Sequence, residues 1–157
     1  MRCSLTSAYG TAGSYYRRSD AAAGRRHTGT VQYSFSYGSV AQPLLAVLGC
    51  GPRFSRVVVD GAAVDVRMGW SFRARVPRRA VAGAAPWPTD RRRPWSRGAH
   101  GWRGRWLVNG SAAGLVVLTI DPPAHARVLG IPVTVRELVV SVTEPDALVS
   151  ELQPPAR

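Results

Sequence analysis

The chain has 157 residues, of which 45% are hydrophobic, and its formal net charge is +12. This length and composition are typical of one globular domain with its own core. The longest apolar runs, residues 44–48 and 115–118, are too short for a transmembrane helix. The two cysteines, Cys3 and Cys50, are too few for a disulfide framework and lack the spacing of a metal site.

All of the positive charge comes from arginine, because the chain contains no lysine. Arginine is abundant together with alanine, glycine, proline and valine, a composition typical of a GC-rich genome. Residues 73–105 hold ten arginines and one aspartate, a net charge of +9, whereas residues 106–157 carry −2. This asymmetry indicates either an acidic partner, such as nucleic acid or an anionic lipid surface, or a solvated face rich in arginine.

The first 30 residues show neither helical nor strand periodicity, and they predict a disordered tail. The alternative is a start at Val31, because valine can be encoded by GTG, which also initiates translation. We expect one domain over residues 31–152 and a short disordered tail at 153–157. No secretory signal is recognisable in the first 30 residues, which predicts a cytoplasmic protein, with a peripheral position at the membrane left open.

The predicted domain begins with a strand, a helix and a hairpin. The stretch VQYSFSY, residues 31–37, alternates apolar and polar side chains as a strand does. Residues 39–48 predict a short helix that ends at glycines. The Asp60-Gly61 pair predicts a hairpin turn between strands at 57–59 and 64–68.

Two further strands and a loop are predicted next. Residues 70–76 alternate, and residues 78–85 predict another short strand. The apolar residues on one face of the first of these strands are Trp70, Phe72, Ala74 and Val76. Residues 86–99, with three prolines and three consecutive arginines, predict a loop.

The stretch HGWRGRWLVNG, residues 100–110, alternates bulky apolar residues with arginines. As a single strand it would place Trp102 and Trp106 on one face and Arg103 and Arg105 on the other. Asn109-Gly110 is a turn signal, residues 111–114 could extend the loop, and an apolar strand at 115–120 follows.

The end of the chain predicts a strand and a helix. After a connector with three prolines at 121–132, VTVRELVVSV predicts the last strand at 133–142. Thr143 and Asp146 then have the spacing of a helix start, with Pro145 in the first turn. The side chains expected to face inward are Ala147, Leu148 and Leu152.

About seven short strands and a final helix predict a mainly β fold, in which an antiparallel sheet curls into a barrel or into two packed sheets and the helix caps one open end. LVVSVTEPDALVSEL, residues 138–152, and RVPRRAV, residues 75–81, resemble parts of bacterial pleckstrin-homology-like (PH-like) domains. Residues 33–152, with GWRGRWLVNG, also look like a family of small uncharacterised actinobacterial proteins. The resemblance implies a fold and no activity. The insertion at 86–99 departs from the PH-like pattern, and the first hairpin lacks the compact basic signature of phosphoinositide binders.

The residues suited to catalysis do not form a recognisable site. The three histidines, His27, His100 and His125, have no second histidine four residues away, and the chain has no glycine-rich phosphate loop or nucleophile elbow. Carboxylates are few and scattered. The sequence therefore predicts a protein that is not an enzyme and that uses no cofactor or metal.

The candidate binding residues are arginines and tryptophans in the middle of the chain. Arg103 and Arg105 would join Arg73 and Arg75 on the outer face of the sheet. The predicted loop would extend this face with Arg91, Arg92, Arg93 and Trp95.

We expect a binding or scaffolding module whose partner is another protein, because PH-like folds offer an edge to an extended peptide and a basic face suits an acidic segment. The alternative function is electrostatic binding of anionic lipid or nucleic acid through the arginine and tryptophan face. A purely structural interpretation also stands, in which Trp102 and Trp106 belong to the core and the arginines are only solvated.

Overall fold

The computed structural model describes residues 29–38, 46–47, 49–88 and 97–153. The predicted N-terminal tail up to residue 28 and the C-terminal residues 154–157 lie outside the described residues. Of the predicted helix at 39–48, Ala46 and Val47 are described and have helical backbone; the rest of that prediction lies outside the described ranges.

The described chain forms nine strands and one α-helix. The strands are β1 (Val31–Ser34), β2 (Ser55–Val59), β3 (Ala63–Met68), β4 (Phe72–Pro77), β5 (Val81–Pro86), β6 (Gly98–Trp102), β7 (Arg105–Asn109), β8 (Leu115–Val128) and β9 (Ile131–Ser141). The helix α1 (Pro145–Leu152) follows β9. A mainly β fold with a C-terminal helix is thus confirmed, with nine strands rather than about seven.

One sheet contains all nine strands, in the order β1-β2-β3-β4-β8-β9-β7-β6, with β5 also paired to β8. The long strand β8 pairs with β5 through its first half and with β4 through its last residues, and β9 takes its other edge. The sequence predicted an antiparallel sheet, but β7 pairs with β9 in parallel, so the sheet is mixed. The ladders do not close into a barrel; isolated bridges from Phe35 to Val142 and from Tyr37 to Gly110 link the chain after β1 to β9 and β7.

The core lies on the inward face of this sheet. Alternate residues of β2, β3 and β4 are buried, because successive side chains of a strand point to opposite faces. The largest fully buried side chains are Phe72, Met68, Leu118, Leu138, Leu148, Val57, Val59, Val64, Val66, Val76, Val108 and Val116. The helix α1 packs over β5 and β8 at the margin of this core.

The predicted connector at 121–132 is instead the second half of β8 and the turn into β9. Pro122 and Pro123 lie where the pairing of β8 with β9 is interrupted, between Thr119 and Ala124, so they remove no ladder hydrogen bond there. The turn Leu129-Gly130 has φ values of 52° and 83°, the left-handed backbone of a two-residue hairpin turn.

The stretch HGWRGRWLVNG is a hairpin and not one strand. Arg103 and Gly104 form its turn, with φ values of 54° and 85°, so Trp102 and Trp106 belong to different strands. Trp102 is exposed, whereas Trp106 packs against the core. β7 ends at Asn109 and residues 110–114 connect it to β8, but these two strands do not pair with each other, because β9 lies between them.

The strand predicted at 70–76 begins two residues later, because Gly69, with φ of 52°, reverses the chain. Phe72, Ala74 and Val76 share one face of β4 as predicted, and that face is buried. Trp70 lies in the turn and is exposed. The strand predicted at 78–85 begins after a 3-10 turn at Arg78–Ala80 and continues to Pro86.

Glu144, and not the predicted Thr143, is the N-cap of α1, without a side-chain cap hydrogen bond. Thr143 is still held by the sheet, because its amide donates to the carbonyl oxygen of Ser34 (3.1 Å). Leu148 and Leu152 are buried as predicted, whereas Ala147 is exposed and Val149 takes the inward position.

Gly69 has no room for a side chain, because a Cβ there would overlap the carbonyl oxygen of Gly49. Gly130 also has a positive φ but faces open space, so alanine there causes backbone strain alone. We expect Gly69→Ala to lower the free energy of unfolding by about 3 kcal/mol or more, and Gly130→Ala by about 1 kcal/mol. Chemical denaturation measures both; equal losses would contradict the close approach of the two backbones.

Candidate anion-binding face

Four arginines lie directly opposite one another across four neighbouring strands. Arg56 of β2 pairs with Arg67 of β3, Arg67 pairs with Arg73 of β4, and Arg73 pairs with Arg127 of β8. We call these four residues the arginine row. Because neighbouring strands are about 4.8 Å apart, the row is roughly 14 Å long.

The buried neighbours of these arginines explain why the row faces outward. Val57 and Val66 are fully buried, as are Phe72 and, nearly so, Ala126. Each of them is adjacent in sequence to one arginine of the row, so the arginine must point to the opposite face of the sheet. Directly opposed residues lie on the same face, so the four guanidinium groups share one surface.

The arginine row has no carboxylate partner in the described part of the chain. The ion pairs there join Arg75 to Asp65 (3.9 Å), Arg78 to Glu151 (3.8 Å) and Arg105 to Glu137 (3.0 Å). The Nε atom of Arg67 is buried and has no hydrogen-bond partner. Like charges directly opposite each other in a sheet are destabilising, so the row is an unfavourable arrangement in the absence of an anion.

A groove of about 350 Å³ opens beside the row. The side chains of Arg53 and of three members of the row line it together with Phe54 and Trp70, and Gly49 and Gly69 complete its wall. Phe54 and Trp70 are 57% and 65% exposed. The groove therefore combines several cationic groups with two accessible aromatic rings, and no acidic residue lines it.

Hydrogen bonds fix the wall of the groove. The carbonyl oxygen of Cys50 accepts from the hydroxyl groups of Tyr37 (2.7 Å) and Ser55 (3.1 Å). Burial raises the pKa of Tyr37, so its hydroxyl stays protonated and remains a donor at neutral pH. The amide of Gly69 donates to the carbonyl oxygen of Phe54 (2.9 Å), which joins the segment before β2 to the turn between β3 and β4.

The structure separates the arginines predicted as one site. Arg73 belongs to the arginine row. Arg75 lies two residues further along β4, opposite Asp65, and lines a second groove with Arg79 and His125.

Arg103 and Arg105 lie in the β6–β7 hairpin, and β8 and β9 stand between this hairpin and β4. Arg91, Arg92, Arg93 and Trp95 lie outside the described residues.

Arg53, Arg56, Arg67 and Arg127 were missed by the sequence analysis. The available signal was register: strands 57–59 and 64–68 place Arg56 opposite Arg67 once Val59 is paired with Val64. No such signal indicated the place of Arg127, because residues 121–132 contain three prolines and were predicted to be a connector.

Of the three histidines, His100 and His125 lie in the described part of the chain. Burial lowers the pKa of His100, which favours the neutral imidazole. His125 is exposed on β8. Within the described ranges, no group of three or more histidine, cysteine, aspartate or glutamate residues could hold a metal ion.

No protein-family model, no curated protein and no solved structure matches the chain. The PH-like and actinobacterial resemblance therefore stays a prediction, as does the cytoplasmic location. None of the described helices is long and apolar enough to cross a membrane.

Removing one charge from the row is expected to stabilise the protein. Arg73 faces an arginine on each side, so Arg73→Gln relieves two repulsive pairs and should raise the free energy of unfolding by about 0.5–1 kcal/mol at low ionic strength. The gain should shrink at high salt, which screens exposed charges. Denaturation at two salt concentrations measures it.

The matched control is Arg105→Gln, which removes an arginine paired with Glu137 and should bring no gain in stability. A destabilised Arg73→Gln protein at low salt would show that the row is not repulsive.

Proposed function

We propose that this protein is a non-catalytic binding module that holds an anionic partner on the arginine row. The observation that carries the proposal is the set of four directly opposed guanidinium groups without a carboxylate partner among the described residues. An anion bound across the row would remove the repulsion between these groups.

The chemistry of the groove suits phosphate or carboxylate groups. Each guanidinium is a planar fork of donors that can bind such a group through two hydrogen bonds. Arg67 lines this groove, and its Nε is buried without a hydrogen-bond partner. Phe54 and Trp70 add apolar surface at the side of the same groove.

The geometry gives less support to the function expected from the sequence, in which a protein partner adds a strand to the sheet. β1 and β6 are the strands at the two ends of the sheet order. Neither Val31–Ser34 nor Gly98–Trp102 contains an arginine, so neither of these strands offers charge complementarity to an acidic segment. The proposal therefore rests on the arginine row and not on strand addition.

Titration calorimetry with inorganic tripolyphosphate tests the proposal. We expect the wild-type protein to bind, with an affinity that falls steeply as salt is added. The double variant Arg67→Gln/Arg73→Gln should bind about tenfold more weakly or worse, because it loses two charge-assisted contacts.

The double variant Arg103→Gln/Arg105→Gln is the matched control, because it removes the same number of charges from the β6–β7 hairpin. Its affinity should stay within about twofold of wild type. Equal losses in the two double variants would show that net charge alone attracts the anion, and the assignment to the arginine row would be wrong.

A further inference from the structure

Four large apolar side chains are exposed at the end of the sheet next to the arginine row. Phe54 is 57% exposed, Trp70 65%, Leu129 56% and Ile131 64%. We call these four residues the apolar tip. Large apolar side chains that cluster on a protein surface mark a site of interaction.

Backbone hydrogen bonds bring the segments of the tip together. The amide of Gly69 donates to the carbonyl oxygen of Phe54, and the amide of Leu129 donates to the carbonyl oxygen of Ser71, both at 2.9 Å. Ile131 pairs with Val128 across the β8–β9 hairpin. The segment before β2, the β3–β4 turn and the β8–β9 turn therefore form one end of the molecule.

The arginine row lies directly behind this end. Arg56 follows Phe54 by two residues, Arg67 and Arg73 lie three residues before and after Trp70, and Arg127 precedes Leu129 by two residues. The exposed apolar groups are thus bordered by cationic groups along four strands.

Leu129 has a backbone conformation that leucine rarely adopts. Its φ of 52° lies in the left-handed region, where the first position of such a turn is usually asparagine, aspartate or glycine. A leucine there has an unfavourable backbone and an exposed side chain. A binding partner that buries the side chain of Leu129 would offset both costs.

We infer that the apolar tip and the arginine row dock together on the surface of an anionic lipid bilayer, an inference that rests on the proposed function. The tip would enter the interfacial region, where tryptophan is favoured. The guanidinium groups behind it would contact the phosphates of the headgroups. Weak insertion and a basic patch are each insufficient for stable binding, but the two together suffice.

The composition of the tip favours a bilayer over a single-stranded nucleic acid. Nucleic-acid grooves use aromatic rings on which successive bases stack. Leu129 and Ile131 have no ring, whereas both side chains suit the acyl boundary of a membrane. An acidic peptide would satisfy the arginine row, but its carboxylates would leave the four apolar side chains exposed.

Vesicle flotation with the full chain tests the inference. We expect binding to mixed phosphatidylcholine and phosphatidylserine vesicles and none to pure phosphatidylcholine. Trp70→Ser should lower binding about tenfold, since it removes a large apolar group from the tip. Trp102→Ser is its matched control, because Trp102 is 76% exposed at the β6–β7 hairpin, and it should bind as wild type.

Leu129→Asn separates docking from folding. Asparagine suits the positive φ, so the variant should be at least as stable as wild type, yet its binding to anionic vesicles should fall about tenfold. Its affinity for tripolyphosphate should stay within about twofold, because no arginine is changed. Loss of vesicle binding in a fully stable protein would be direct support for the tip.

The experiments distinguish a failure of the bilayer inference from a failure of the proposed function. A wild-type protein that binds tripolyphosphate but not anionic vesicles would overturn the bilayer and leave the proposed function intact. Vesicle binding that is lost only in Arg67→Gln/Arg73→Gln would overturn insertion of the tip. Tighter binding of oligothymidylate than of vesicles, lost in Trp70→Ser, would assign the face to nucleic acid instead. Binding of neither tripolyphosphate nor vesicles would overturn both proposals.

Discussion

Burial of alternate residues in β2, β3, β4 and β8 fixes the register of these strands, and the arginine row is a consequence of that register. Shifting one strand by one residue would expose its buried face and bury its arginine. Fully burying a valine or phenylalanine stabilises the fold by about 1.5–3 kcal/mol. Each opposed pair of like charges costs about 0.2–1 kcal/mol. The free energy gained by apolar burial therefore exceeds the cost of the like-charge pairs, and the sheet retains three repulsive pairs.

The turn after β2 shows how local chemistry selects this register. Asp60 Oδ1 accepts hydrogen bonds from the amides of Ala62 (2.7 Å) and Ala63 (2.6 Å), which stabilises the turn that pairs Val59 with Val64. A two-residue Asp60-Gly61 loop would instead pair Val59 with Ala62 and set Arg56 opposite Asp65, an attractive pair. The amide hydrogen bonds also lower the pKa of Asp60, so its carboxylate is the form that holds the loop.

Local patterns in the sequence predicted much of the fold and little of the site. The Asp60-Gly61 turn signal indicated most of β2 and β3, and the pattern of apolar residues indicated most of β4 and β9. The Arg103-Gly104 turn was hidden by an alternation that continues through it, and the parallel pairing of β7 with β9 has no local signal. The arginine row needed the pairing of Arg73 with Arg127, residues far apart in sequence, across a strand whose two prolines are typical of a connector.

Two unfavourable features, of independent origin, occupy the same end of the sheet. The arginine row is an electrostatic cost set by strand register, and Leu129 at φ of 52° is a conformational cost of about 1–2 kcal/mol set by a hairpin turn. No carboxylate of the described residues pairs with the row, the side chain of Leu129 is 56% exposed, and neither feature causes the other. Where local rules are broken together, a surface has been shaped for something other than stability. A partner that presents anionic groups beside an apolar layer would relieve both costs in one contact.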